Sequence, residues 1–176
     1  VAGIFAPDGA LLGCAHKLHP FSVGKEHEVY DGGEALTIID VADTCIAPLT
    51  CYDLRFPELW RLARRAGAQA FAIGASWPAV RQDHWRSLLI ARAIENQAFV
   101  FGCNRCGSDP YLEYAGGSMI IDPTGTVLAE ADDSPTLLQS DIDPSAADRW
   151  RDEFRCQDDV HDAFLGTITV VRSNPA

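Results

Sequence analysis

The strongest constraint on the fold is a short apolar run that leads through one cysteine into a helix. Residues 44–50 have the composition of a buried strand, and Pro57 opens a helical pattern a few residues later. Proline is favoured in the first helical turn, because the N–H that it lacks would have no partner there. Cys51 therefore lies between a strand end and a helix, where α/β folds place reacting groups. The same cysteine could instead be a small buried hydrophobe.

The remaining segments alternate between strand-like and helix-like patterns. Residues 68–75 form a continuous apolar run, which is typical of strands buried on both faces. Residues 16–34 form a long polar loop, and loops of this length are often functional. This alternation predicts an α/β fold with two sheets covered by helices. We predict strands at 1–5, 10–15, 36–41, 44–50, 68–75, 98–103, 118–121, 126–130 and 136–142, and helices at 57–66, 81–97 and 144–153.

The composition argues against two classes of function. The net charge of −11 disfavours nucleic-acid binding, because that binding depends on neutralising phosphates. No apolar run reaches the length of about 18 residues that a membrane span needs, so we expect no membrane segment. The six cysteines lack the spacing of a disulfide scaffold. A reducing, cytoplasmic location is therefore expected.

Two of the cysteines, Cys103 and Cys106, form a C-x-x-C pair. Zinc sites usually combine such a pair with a second pair of Cys or His residues, and this chain shows no matching second pair. We therefore expect no metal site. Metal binding by Cys103 and Cys106 stays an alternative, which a metal assay on protein purified without added metal would test.

Several separately spaced motifs resemble, in order, those of one protein family. They are HKLHPF from His16, CYDLRFPE from Cys51, WP at Trp77, HWRSLLIARAIENQ from His84, CNRCG from Cys103, YAGGSM from Tyr114 and DPTG from Asp122. Together they resemble the carbon–nitrogen hydrolase (nitrilase) superfamily, and above all its omega-amidase-like branch. The resemblance implies an α-β-β-α sandwich of the nitrilase type, with a single carbon–nitrogen hydrolase domain over residues 1–176.

The same resemblance implies which residues carry the chemistry. Cys51 corresponds to the family nucleophile, whose thiolate attacks an amide or nitrile carbon and forms a thioester acyl-enzyme. Lys17 and the backbone N–H of Tyr52 would stabilise the tetrahedral oxyanion. Glu26 corresponds to the family's second glutamate, which positions the lysine. Removing one oxyanion donor typically costs about 10²–10³ in rate, so Lys17 is expected to matter.

The acidity of the thiol explains why such neighbours are needed. A free cysteine has a pKa of about 8.5, so only a small fraction is thiolate at neutral pH. A nearby ammonium and a helix N-terminus both lower that pKa, and we expect a lowered pKa at Cys51. A papain-type protease is a weaker interpretation. Such a protease needs a histidine base paired with the cysteine, and the chain has no papain-like cysteine motif.

Three further residues are candidates for the walls of the substrate pocket. The resemblance implies that the aromatic ring of Trp77 lines the acyl pocket, although packing in the core or a lid would also explain it. His84 is a second pocket candidate, with a purely structural role as the alternative. Arg55 could bind a substrate carboxylate or instead stabilise its turn through Asp53 or Glu58.

The family's primary glutamate precedes the lysine motif, and no segment of this chain corresponds to it. We therefore expect a domain without its N-terminal strands and helices. The expected function is thiol-dependent hydrolysis of a small linear carboxamide, first of all an omega-amide of a 2-oxo acid, with release of ammonia. No metal or organic cofactor is implied, and the full-length form is expected to be a homodimer. The alternative is a catalytically incomplete remnant that acts as a binding or dimerisation module.

Overall fold

The computed structural model describes residues 1–161, 163 and 169–173. In this part of the chain, strands alternate with three α-helices. The strands are β1 (Ala2–Phe5), β2 (Leu11–Ala15), β3 (Ala35–Val41), β4 (Thr44–Thr50), β5 (Ala70–Ala75), β6 (Phe99–Asn104), β7 (Cys106–Ser108), β8 (Glu113–Ala115), β9 (Met119–Ile121), β10 (Val127–Glu130) and β11 (Thr169–Ser173). The α-helices are α1 (Pro57–Arg65), α2 (Gln82–Asn96) and α3 (Ser145–Glu153).

A mixed sheet runs through the centre, with its strands in the order β10-β9-β6-β5-β4-β3-β11. The central strands β4, β5 and β6 are parallel. Their register places Thr50 beside Gly74 and Ala75 beside Asn104. The carboxyl ends of three neighbouring strands therefore meet at one edge of the sheet, which is where open α/β sheets bind ligands.

Helices cover both faces of the central strands. On one face lie α1 and α2, and the indole of Trp60 on α1 is 4.5 Å from the ring of Phe71, measured between centroids. On the other face, Ala70 and Phe99 pack with Ala147 of α3. Successive side chains of a strand point to opposite faces, so the apolar run of β5 fills both layers. This confirms the prediction of a strand buried on both sides.

Two ribbons of two strands accompany the large sheet, β1 with β2 and β7 with β8. The first ribbon lies beside β3, because the hydroxyl of Thr37 donates a hydrogen bond of 3.2 Å to the carbonyl of Cys14. Two sheets were predicted from the sequence. In the described part of the chain, strands outside the seven-stranded sheet are found in these ribbons alone.

The predicted strand at 136–142 is wrong, since these residues carry no strand pairing in the structure. Their apolar side chains do not form one buried face. Leu137 is 87% exposed, whereas Ile142 packs against the cluster of Ala70, Phe99 and Ala147. Ile142 therefore holds the segment before α3 against the sheet. The alternation of apolar and polar residues predicted a strand here, but it could not show that no neighbouring strand was available for pairing.

The sequence did not predict β7, β8 or β11. Strands β7 and β8 have three residues each, which is too short for a period of two to be visible. Strand β11 pairs in parallel with β3, far away in the chain, and the pattern of the tail alone does not reveal this partner. None of the helices in the described ranges is long and apolar enough to cross a membrane.

A buried arginine connects α2 to the segment that follows β4. Through Nε and Nη2, Arg92 donates hydrogen bonds of 3.1 and 2.7 Å to the carbonyl oxygen of Leu54. Its Nη1 donates to Glu95 at 2.8 Å. Glu95 also accepts a longer contact of 3.4 Å from the more exposed Arg61. Arg92 therefore holds the turn after β4 against the helix.

We expect Arg92→Met to lower the free energy of unfolding by about 2–4 kcal/mol, because it leaves the buried Leu54 carbonyl and the Glu95 carboxylate without their main donor. The midpoint of urea unfolding would measure the loss. Arg61→Met is the matched control, since it removes a partner of the same carboxylate at the surface. We expect it to cost less than about 1 kcal/mol. Equal losses in the two variants would contradict the role given to Arg92.

Candidate active site

Cys51 occupies a sharp corner between β4 and α1. It begins a 3-10 turn, Cys51–Arg55, and its φ of 46° lies in the left-handed region that non-glycine residues seldom adopt. A capping box fixes this corner, because the Thr50 N–H donates to the Asp53 carboxylate at 3.1 Å and the Thr50 side chain accepts from the Asp53 N–H. The predicted strand-to-helix position of Cys51 is confirmed, with the 3-10 turn between the two elements.

The carboxylate of Asp53 also holds the loop that carries Lys17. It is fully buried. It accepts hydrogen bonds from the backbone N–H groups of Leu18, at 3.4 Å, and His19, at 2.9 Å. The ring Nδ1 of His19 lies 3.0 Å from the same carboxylate. Burial raises the pKa of Asp53, while the hydrogen bonds from His19 and Thr50 act in the opposite direction. One side chain thus joins the nucleophile corner to the lysine loop.

Aromatic contacts reinforce the same junction. The imidazole of His19 stacks on the ring of Phe56, with centroids 3.7 Å apart and planes 12° apart. The ring of Tyr52 meets Phe21 and Phe56 edge-on, at 4.9 and 5.1 Å between centroids. Edge-to-face pairs are favourable because the positive ring edge meets the negative face. The lysine loop is therefore packed against the corner as well as hydrogen-bonded to it.

The structure brings Lys17 and Glu26 together. The ammonium of Lys17 is hydrogen-bonded to Glu26 Oε2, and the Phe21 N–H donates to the same oxygen at 2.8 Å. Burial acts to raise the pKa of Glu26, but the hydrogen bonds from Lys17 and Phe21 and the lysine charge outweigh it, so the pKa is lowered. Glu26 is therefore a carboxylate at neutral pH, and its position fixes the lysine ammonium.

The pKa of Cys51 differs from the expectation. Burial raises the pKa of this thiol, and it outweighs the Lys17 charge and the backbone hydrogen bond from Ser76, which act to lower it. The charges of Glu26 and Asp53 raise it further. The predicted lowering is therefore wrong in direction. An ammonium is nearby, as expected, but the carboxylate that holds it opposes its effect on the thiol.

These residues line a cavity of about 860 Å³. It lies at the carboxyl ends of the parallel strands, where Thr50, Cys51, Gly74, Ala75 and Ser76 contribute to its wall. Its other lining side chains include Lys17, Phe21, Glu26, Tyr30 and Asp31 of the lysine loop, Tyr52 and Arg55 of the 3-10 turn, Trp77 and Arg81 between β5 and α2, and Leu112 and Tyr114 of the β7–β8 ribbon.

Trp77 forms a wall that is fixed from behind. Its backbone N–H donates 2.8 Å to Asn104 Oδ1, and Asn104 Nδ2 donates to the carbonyls of Trp77, at 3.3 Å, and Gly116, at 2.7 Å. The indole N–H donates to the carbonyl of Arg81 at 2.8 Å. The guanidinium of Arg55 lies 4.8 Å from the centre of the indole ring. Trp77 is thus held by β6, by the start of α2 and by a cation on its face.

Six of the seven residues proposed for the site from the sequence lie on the cavity wall: Cys51, Lys17, Glu26, Tyr52, Arg55 and Trp77. His84 does not appear among the described residues of that wall. Its Nδ1 lies 3.2 Å from Nη2 of Arg55, which itself lines the cavity. The structure therefore places His84 behind Arg55 and not on the cavity wall, where it was predicted. Tyr52 follows Cys51 in the 3-10 turn, and the first N–H groups of such a turn have no partner within it.

Sequence reasoning gave no site role to Asp53, Arg81, Asp31 or Tyr114. For Asp53 the signal was present, because a Thr followed three residues later by an acidic residue is a capping pattern. Arg81 follows closely on Trp77, which was already a candidate. Tyr114 reaches the wall through the β7–β8 ribbon, which the sequence did not reveal. In the described part of the chain, no group of three or more His, Cys, Asp or Glu side chains is arranged to hold a metal ion.

Comparisons with known proteins agree with this arrangement. The carbon-nitrogen hydrolase family model matches residues 2–152. The 2-oxoglutaramate amidase of Bacillus subtilis (strain 168) is 40% identical over 153 residues, which are 87% of this chain and 59% of that protein. The omega-amidase YafV of Escherichia coli (strain K12) is 41% identical over 152 residues, which are 85% of this chain and 58% of that protein. The chain thus spans less than two thirds of the length of these relatives.

A solved structure shows the same fold. XC1258 of Xanthomonas campestris, a carbon-nitrogen hydrolase superfamily protein with an arsenic adduct in its active site, superposes with a TM-score of 0.81 at 34% identity. The match covers 91% of this chain and 65% of that one. The central mixed sheet and its helices therefore form an α/β fold of the nitrilase type. With the family's motifs gathered around one cavity and the family model matching most of its length, the chain belongs to the carbon-nitrogen hydrolase family.

Proposed function

We propose that this chain carries the site of a thiol-dependent hydrolase for a small linear carboxamide, and that the reaction releases ammonia through a Cys51 thioester. The strongest support is that the Lys17–Glu26 pair and Cys51 line the same cavity. A fixed ammonium beside a nucleophile is the arrangement that stabilises a developing oxyanion. Small amides also fit the names of the curated relatives, which are amidases.

In the first half of the reaction, Cys51 Sγ forms a bond to the amide carbon. The carbonyl oxygen becomes an oxyanion, which Lys17 and the Tyr52 N–H would stabilise. Collapse of this intermediate breaks the carbon–nitrogen bond. The thiol loses one proton and the departing amine gains one, so a single carboxylate that carries that proton would balance the step. Water then attacks the thioester, gives its proton to the same carboxylate and releases the acid and the free thiol.

Because the pKa of Cys51 is raised, the proposed reaction needs a group that removes the thiol proton. A thiol that is mostly protonated at neutral pH needs a base at the moment of attack. Glu26 is a carboxylate that lines the same cavity as Cys51 and is bonded to Lys17. We propose Glu26 for this proton transfer, in addition to its role in positioning the lysine.

A terminal amide on a dicarboxylate skeleton is the first substrate proposed. The name of the Bacillus subtilis relative, 2-oxoglutaramate amidase, supports an omega-amide of a 2-oxo acid. The homodimer and the cytoplasmic location stay predictions. Size-exclusion chromatography with light scattering would test the first of these.

We expect Cys51→Ala to abolish ammonia release from small omega-amides, because no other thiol of the described residues lines the cavity. A coupled ammonia assay on folded protein would measure this. Cys103→Ala is the matched control, since Cys103 is an exposed cysteine outside the lining residues, and it should keep the activity of the parent chain.

Activity that survives Cys51→Ala would contradict the proposed nucleophile. Silence from a folded parent chain whose Cys51 still reacts with an alkylating reagent would instead favour the alternative function. The chain would then be a catalytically incomplete binding or dimerisation module.

We expect Lys17→Gln to lower kcat/KM for the same amides by about 10²–10³, because it removes one donor to the oxyanion. Lys25→Gln is the matched control, since Lys25 is an exposed lysine of the same loop whose ammonium contacts Glu28 at 3.6 Å. Steady-state kinetics on both variants would measure the difference. A loss of less than tenfold in Lys17→Gln would argue against an oxyanion role.

We expect the alkylation rate of Cys51 to rise with pH to a midpoint above the usual thiol pKa of about 8.5, because the reacting form is the thiolate. Lys17→Gln should move this midpoint to still higher pH, since it removes the charge that acts to lower the pKa of Cys51. Mass spectrometry of the Cys51 peptide after timed alkylation would follow one thiol among six. A midpoint below the usual value in the parent chain would contradict the raised pKa.

A further inference from the structure

Two arginines of the cavity wall are without an ionic partner in the described part of the chain. Arg55 and Arg81 both line the cavity and are both half-buried. Lys17, by contrast, is neutralised by Glu26. A half-buried cation attracts an anion more strongly than a fully exposed one does, because water is partly excluded from its surroundings. Such a cation is therefore suited to bind an anionic ligand.

Both arginines contact Trp77, Arg55 through its guanidinium and Arg81 through its backbone carbonyl. Arg55 is held over the indole face at 4.8 Å and contacts the ring of His84. Arg81 is fixed through its backbone, because its carbonyl accepts the indole N–H at 2.8 Å and its N–H donates to Pro78 at 3.0 Å. The main chain of Arg81 is thus fixed at the wall, while its guanidinium carries no contact that would neutralise it.

The charge on the cavity wall is opposite in sign to that of the whole chain. Among its described side chains, the cations are Lys17, Arg55 and Arg81, and the anions are Glu26 and Asp31. After the Lys17–Glu26 pair is set aside, two arginines face one exposed aspartate. The chain itself carries a net charge of −11. A positive cleft in an acidic protein concentrates anions at the cleft.

We propose that Arg81 is the specificity-determining residue for the carboxylate end of the substrate, with Arg55, which also contacts Trp77, as a second cation on the same cavity wall. Guanidinium groups suit this task because their planar N–H donors match the two oxygens of a carboxylate. The cavity then selects the monoamide of a dicarboxylic acid over a neutral amide of the same length. This inference rests on the proposed function for the identity of the amide end.

The position of the nucleophile is consistent with an extended substrate. Cys51 begins the 3-10 turn that Arg55 ends, so the two residues are separated by roughly 8 Å along the turn axis. Lys17 and Glu26 mark the amide end beside Cys51. Arg55 and Arg81 line the same cavity, and in the proposal they mark the end that binds the carboxylate. One cavity thus holds an end for the reacting amide and an end for the anion.

The test compares two ligands that differ in one group. Glutaramate carries an amide and a carboxylate, and glutaramide carries two amides. Isothermal titration calorimetry on the Cys51→Ala protein, which does not turn over, would measure both affinities. We expect glutaramate to bind more tightly, and Arg81→Gln in the same background to weaken glutaramate by about 10- to 100-fold while glutaramide stays unchanged. Arg81→Lys should restore part of the preference.

Arg86→Gln is the matched control. Arg86 lies on α2 and pairs with Glu130 outside the cavity, so the preference for glutaramate should survive its loss. The inference is overturned if the parent binds both ligands equally, if neither ligand binds, or if Arg81→Gln keeps the preference. An Arg81-dependent preference in a chain that releases no ammonia when Cys51 is intact would uphold the inference and reject the proposed function.

Discussion

The site depends on one buried carboxylate. Asp53 accepts hydrogen bonds from Thr50, at the corner of the nucleophile, and from Leu18 and His19, in the loop that carries the lysine. These segments are more than thirty residues apart in the chain, and among the described contacts no other side chain bonds both. Because a buried acceptor that loses its donors is expensive, the corner and the loop have to fold together. The position of the Lys17 ammonium relative to the Cys51 thiol therefore depends on Asp53 as well as on the two residues themselves.

The pKa of Cys51 is set by its burial together with the charges of Lys17 and Glu26. The ammonium of Lys17 is held by Glu26, and this neutralises much of the field that would otherwise stabilise a thiolate at Cys51. Burial then decides the direction, so the pKa of the thiol is raised. Such a resting site keeps the nucleophile protonated and protected, and it supplies charge stabilisation mainly to an oxyanion that forms close to the ammonium.

Much of this was visible in the sequence. The apolar run before Cys51 and the proline after it predicted a cysteine between a strand end and a helix, because these signals are local, whereas the roles of Lys17 and Glu26 came from the resemblance to the family. What the sequence could not show depends on contacts between distant segments. The direction of the Cys51 pKa needs the burial of the thiol, the parallel pairing of β11 with β3 needs a partner far away, and the failure of the strand at 136–142 follows from a missing neighbour. His84 was a pocket candidate with a structural role as its alternative, and the structure shows it in contact with Arg55, whose side chain lines the cavity.

The amide of Asn104 has a consequence for how such a cavity can change. This side chain does not line the cavity, yet it bonds the backbone of Trp77 on one wall and the carbonyl of Gly116, next to the ribbon that carries Tyr114, on another. The width between the two walls is thus set by a residue behind them. Substrates of a different size could be admitted by substitutions in the layer beneath the cavity, with every residue that touches the substrate left as it is.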